Sequence, residues 1–164
     1  MNYVFPDKTD LVNHLYYQLH SPTPIKIQKT LYFLFAFYGA TYGIAKNNQQ
    51  ENEFTDSNYP QYLFKPNFEA WMYGPIDVDV YKNTKQNYYF PKQLNKSKID
   101  NVLNVSEKEN IYTLINDICK EVDNVDDFTL ITHTQENMSW IKAYETSTKI
   151  MRPDNIIKDY EKRN

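Results

Sequence analysis

The sequence predicts a mainly α fold: a single compact multi-helix domain spanning residues 1–164, with a small β-ribbon near its middle. Three observations carry this. The segment from Pro24 to about Gly43 is apolar on both faces, with Ile27, Leu31, Leu34, Phe35 and Tyr38 along one side and Phe33 and Phe37 along the other. Such a helix belongs at the centre of a domain, enclosed by other helices. Helix-start signals recur along the chain, each ahead of apolar residues at helical spacing. Finally, the aromatic stretch "QYLFKPNFEAWMY" is interrupted by Pro66 and closed by Gly74 and Pro75, which favours one or two short strands over a helix.

Taken in order, Asp7 or Thr9 caps a first helix whose Leu11, Leu15 and Leu19 recur every four residues up to "HSPTP". Thr23 then precedes Pro24, the order of an N-cap followed by proline at the first helical position, and the central helix begins there. The polar run from Asn47 to Asn58 reads as an exposed loop. Past the ribbon, Pro75 opens a helix carrying Ile76, Val80 and Tyr81 on one side. The following "NTKQNYYFPKQLNKSK" is loop-like, with a short strand at Tyr88 to Phe90. In "SEKENIYTLINDICKEV" a capping box of Ser106 and Glu109 starts a helix with a stripe of Ile111, Leu114, Ile115, Ile118 and Val122. Asp126 or Asp127 caps the next helix, Asn137 or Ser139 starts a turn containing Trp140 and Ala143, and Pro153 to Tyr160 forms a last helix with Ile156, Ile157 and Tyr160 inward.

The totals narrow the function classes. With 18 Lys+Arg against 21 Asp+Glu, the formal charge of -3 is too mild for a basic nucleic-acid face or for an acidic mimic of DNA. One cysteine excludes an internal disulfide framework, and three scattered histidines beside it offer no zinc spacing. A reducing cytoplasm fits this usage. The opening "MNYVFPDKTD" mixes aromatics with charges, unlike a signal peptide, and the apolar run Leu31 to Ala45 is roughly five residues short of a bilayer span. Neither a membrane nor a directly bound nucleic acid is expected as a partner, and no cofactor or metal is expected.

His133 in "LITHTQ" is the natural candidate for a catalytic base, since imidazole titrates near neutral pH. It stands without a catalytic signature: the chain has no G-x-S-x-G elbow, phosphate loop, H-E-x-x-H or Cys-His pattern. A structural hydrogen bond at a helix end is the reading preferred here. Asp77 and Asp79 could be paired acid-base carboxylates, but at a helix start capping explains them. Lys26 and Lys29 are read as snorkelling to water from the edge of a core helix, Cys119 as a small buried residue, and Trp71 and Trp140 as core rather than stacking platforms.

Three separated segments resemble the Panacea domain, the SocA-like or GepA-like phage-associated proteins. In "IKIQKTLYFLFAFY", Ile27, Gln28, Lys29, Leu31 and Tyr32 match the family's opening helix, with Thr30 where a larger apolar residue is usual. "FEAWMYGPIDVDVYKN" is similar to the family's Ala-Trp-x-x-Gly-Pro-Val-x-x-x-x-Tyr block through Trp71, Gly74, Pro75 and Tyr81, with Ile76 in place of the Val. "LITHTQENMSWIKAY" is similar to its Thr-His segment followed by Trp and Ala, through Thr132, His133, Trp140 and Ala143. Ser139 replaces the Pro that often precedes the Trp, and Tyr144 stands where a basic residue is common, so no role of that basic residue carries over. The resemblance implies a helical antitoxin that binds and neutralises a partner toxin, often prophage-encoded. The competing expectations are a phage protein that inhibits a host defence enzyme, and a hydrolase-type enzyme using His133 with Asp77 or Asp79. The protein partner is accordingly a cognate toxin or a host protein. Gly74 and Pro75 are read as a turn that brings Trp71 and Tyr81 together.

Overall fold

The computed structural model describes residues 3–43 and 58–161, so the polar run expected as a loop lies outside the description apart from Asn58. Among the described residues the structure is 59% helical, with seven helices and a small two-stranded antiparallel sheet. The mainly α fold is as the sequence predicts. In chain order the elements are α1 (Lys8–Gln18), α2 (Pro24–Tyr38), β1 (Phe68–Trp71), β2 (Gly74–Asp77), α3 (Val78–Lys85), α4 (Val105–Asp123), α5 (Asp127–Gln135), α6 (Met138–Tyr144) and α7 (Pro153–Glu161). A π-helical turn over Gly39–Gly43 prolongs α2, so the α-helix proper stops earlier than the apolar run.

Helix starts follow local chemistry. Asp7, Thr23 and Asp126 each accept a hydrogen bond from a backbone N–H of the first turn, of Thr9, Lys26 and Thr129 respectively. Pro24 at the head of α2 loses nothing, because the first N–H groups of a helix have no partner inside it. One start differs from expectation: the capping box of α4 is Asn104 with Glu107, not Ser106 with Glu109. Asn104 accepts from the Glu107 N–H at 2.8 Å while Glu107 accepts from the Asn104 N–H at 2.9 Å. Asparagine caps as well as serine does, so N-x-x-E competes with S-x-x-E two residues later. Starting two residues earlier also frees Glu109 to pair with Lys96.

α2 is central, packing against α1, α4, α5, α7 and β2. Its entire middle, from Lys26 to Ala36, is buried. Phe35 packs against Tyr62, Phe64 and Phe68 at ring-centroid distances of 5.8, 5.3 and 5.7 Å. α7 closes over the far end of α2. At Gly39 a Cβ would lie 2.3 Å from the Ile157 side chain, so a larger residue there would have to displace Ile157.

The ribbon is where sequence and structure part most. Pro75 does not open a helix; it pairs with Ala70 inside β2, and α3 begins at Val78 with Asp77 as its cap. A proline fits a strand where its missing N–H would point away from the partner. The outer edge of β1 is covered as well: the Ala70 N–H donates to Lys149 O at 2.7 Å and the Met151 N–H to Phe68 O at 3.0 Å. The strand expected at Tyr88 to Phe90 is absent. That segment is instead tied to α1, the Phe90 N–H donating to Asn13 Oδ1 and the Leu94 N–H to His14 Nδ1. Side-chain acceptors there take the place of a neighbouring strand.

Candidate functional site

Residues from each of the three resemblance blocks meet along one seam between α2 and the ribbon. The outward edge of β2 faces α2, and two side chains of α2 complete it. Gln28 accepts from the Asp77 N–H at 2.8 Å and donates to Asp77 O at 3.1 Å, as a neighbouring strand would. Lys29 donates to Pro75 O at 3.0 Å. Lys29 does not snorkel to water; it is fully buried, and Lys26 is buried too. Gly74 makes room for it: the backbone there has φ of 99°, and a Cβ would meet Thr134 Oγ1 at 2.6 Å and Lys29 Nζ at 3.0 Å. The third block thus reaches the seam through Thr134, which is fully buried, while Thr132 and His133 lie exposed on α5.

Burial drives the Lys29 pKa from its ordinary 10.5 down to about 7. Between those values the unfolded chain binds the proton that folded Lys29 has released, so stability rises with pH there by up to about 1.4 kcal/mol per unit. Below about pH 7 both states are protonated and the penalty is complete. Lys29→Met is expected to remove this slope. The stability of the wild type relative to the variant, from denaturant unfolding, should therefore climb between about pH 7 and 10, and a flat difference would contradict it. Using the difference cancels Cys119 and Tyr89, whose pKa values burial pushes up to about 12, so that their contributions are complete below their ordinary values of 9.0 and 10.0 and fade above them.

Beside this seam, Asn137 donates to both the Tyr32 and Tyr160 hydroxyls, at 3.2 and 3.0 Å. Tyr160 belongs to α7, so one buried amide fastens three helices. Trp71 packs edge-on to Tyr81 at 4.8 Å, but both rings are half-buried, and the turn lies at Met72 and Tyr73 with Gly74 and Pro75 in β2; Trp140 donates its indole N–H to Trp71 O at 3.0 Å. Both tryptophans are half-buried rather than core residues. Trp71 ends β1 beside the exposed two-residue turn at Met72 and Tyr73, and Trp140 meets it from α6.

The structure separates the groups an acid-base enzyme would need together. Asp77 caps α3 and is sealed against Lys8 at 2.9 Å, and Asp79 shares the same ammonium at 3.1 Å. Burial raises the Asp77 pKa against the pull of Lys8. Asp79, where hydrogen bonds from Asn67 and Lys8 outweigh burial, is held low. That is an ion-pair cap of a helix start. His133 stands elsewhere, with its ring edge-on to Phe33 at 5.6 Å. It borders an open apolar groove of about 340 Å³ whose lining includes Phe33, Phe37, Val122, Val125 and Leu130, but neither aspartate.

The histidine that is buried and hydrogen-bonded is His14. Its Nδ1 accepts from Leu94 N, and its Nε2 then donates to Gln18 Oε1 at 2.6 Å. Burial lowers its pKa, opposed by the Gln18 bond. Its place on α1, one helical turn before Gln18, is visible in the sequence, but the pairing with Leu94 is not. Cys119 is buried, as expected. Among the described residues no cluster of three or more His, Cys, Asp or Glu could hold a metal, and no helix is long and apolar enough to cross a membrane.

No family model, no curated protein and no solved structure matches the chain.

Proposed function

We propose that this chain is an antitoxin-like binding module that acts in the cytoplasm, neutralising a partner toxin by direct protein–protein contact without turning over a substrate. One observation carries the reading. Three polar residues of the blocks, Gln28, Lys29 and Thr134, are turned inward around Gly74, where Gln28 and Lys29 hold the ribbon on α2, while Thr132 and His133 face outward. What the described surface offers outside is open grooves with apolar lining and exposed aromatics such as Phe128, Tyr73 and Phe90, without a convergent acid-base set. Apolar and aromatic surface of that kind is what protein interfaces use at their centres. The three-block resemblance points the same way.

The test is co-expression with the product of the neighbouring gene, scoring growth on a toxin-inducing plate alongside a pull-down. Rescue accompanied by a stable complex is expected. Rescue without a complex overturns the reading. So does rescue lost in a His133→Ala variant that still folds and still binds, because a pure binder has no use for a base.

A further inference from the structure

A second groove, of about 560 Å³, lies between α6 and α7 and the chain that joins them. Its apolar surface comes from Met138, Ala143, Ile150 and Met151. Met138 and Ile150 are 51% and 60% exposed, more than half open to water in a position where they could be covered. Three cations line the same groove: Lys142 on α6, Arg152 just ahead of α7 and Lys158 on α7. All three are exposed, and none makes an ion pair with a described residue. Asp159 is the one carboxylate in the lining, and it accepts the Ser139 N–H at 2.9 Å.

This is a local excess of positive charge on a chain whose formal charge is -3. A cation pays little to stay solvated and alone, but three unpaired ones around an exposed apolar floor set out a complementary pattern: carboxylates outside, apolar side chains between. Arg152 and Lys158 are six residues apart, roughly 9 Å along a helix axis, with Lys142 across the groove. Charges placed along one wall of the groove and across it suit an extended stretch of polypeptide better than a single small anion.

We infer that the groove between α6 and α7 docks an acidic segment of the partner, one that carries apolar residues between its carboxylates. The inference rests on the toxin-binding reading and names the surface and the chemistry through which that binding occurs. Opposite charges at the rim guide the encounter and set the register, while Met138 and Ile150 receive the apolar residues.

The measurement is affinity for the neighbouring gene's product in the wild type and in Lys142→Glu/Arg152→Glu/Lys158→Glu, whose three sites are exposed and leave the core untouched. Wild-type affinity should fall as salt is raised, and the reversal should weaken it by about tenfold or more, since each lost attraction becomes a repulsion. A variant with an unchanged melting temperature that binds as tightly as the wild type overturns the groove assignment and leaves the antitoxin reading standing. If the wild type itself forms no complex, the antitoxin reading falls, and a fluorescein-labelled peptide of alternating Glu and Leu then tests the groove alone. Salt-sensitive binding to the wild type and not to the reversal upholds it. No binding, equal binding of a Lys-Leu peptide, or displacement by inorganic phosphate overturns it.

Discussion

Phe35→Ala is expected to lower the stability of the fold by about 3–5 kcal/mol, the usual result of emptying a buried aromatic site. Phe35 is fully buried in the last turn of α2, and its ring meets Tyr62 and Phe64, from the segment leading into β1, and Phe68, the first residue of β1. Removing it leaves a cavity between the central helix and that segment. Those rings cannot close it without breaking their own contacts, because Tyr62 is held by a hydrogen bond to Asp154 and Phe68 by its place in β1. With domain stabilities of about 5–15 kcal/mol, such a loss approaches the whole margin. Denaturant unfolding measures it through the midpoint at unchanged slope. A loss below about 1 kcal/mol would mean that the ring cluster is not close-packed.

Gln28→Leu is expected to be the second most damaging change, at about 1–3 kcal/mol, although it replaces a polar residue in an apolar helix by one of similar size. The Gln28 amide is the partner that both the N–H and the C=O of Asp77 find on α2. Leucine would bury the Asp77 N–H unpaired, at a cost of about 1–3 kcal/mol, while the Asp77 C=O keeps its place as the N-cap acceptor of α3. The Asp77 amide hydrogen should exchange much faster in the variant, while amides in α4 should slow or quicken only with overall stability. Unchanged stability together with a protected Asp77 amide would show that Gln28 is not the edge partner of β2. The two substitutions separate the two ways α2 holds the molecule: Phe35 by packing, Gln28 by satisfying a strand edge.

Much of the architecture is legible in the sequence because it depends on neighbours a few residues away. Thr23 with Pro24, Asp126 ahead of α5, and the inward stripe Ile156, Ile157 and Tyr160 of α7 are all as the sequence predicts. Where two local signals compete, sequence reading picks one of them, and for α4 it picks Ser106 over Asn104. The candidate surfaces are far less legible. Phe128 and Leu130 are both apolar residues of one short helix, yet Phe128 is 76% exposed and Leu130 is buried. Only the neighbours of α5 separate them.

By itself, then, the sequence determined the helical class, most helix starts and the central place of α2, because caps act within three residues and an all-apolar face admits no solvent. Tertiary structure alone decided where Gln28, Lys29, Pro75 and His133 lie. Gln28 and Lys29 bond to residues 49 and 46 positions away, and without the edge of β2 beside them a lysine on α2 belongs in water. Pro75 is a strand residue because Ala70 lies opposite it, and His133 is a surface residue because the face of α5 that turns inward carries Leu130 and Thr134. Long-range partners are chosen by the whole packing arrangement, and no window of sequence contains it.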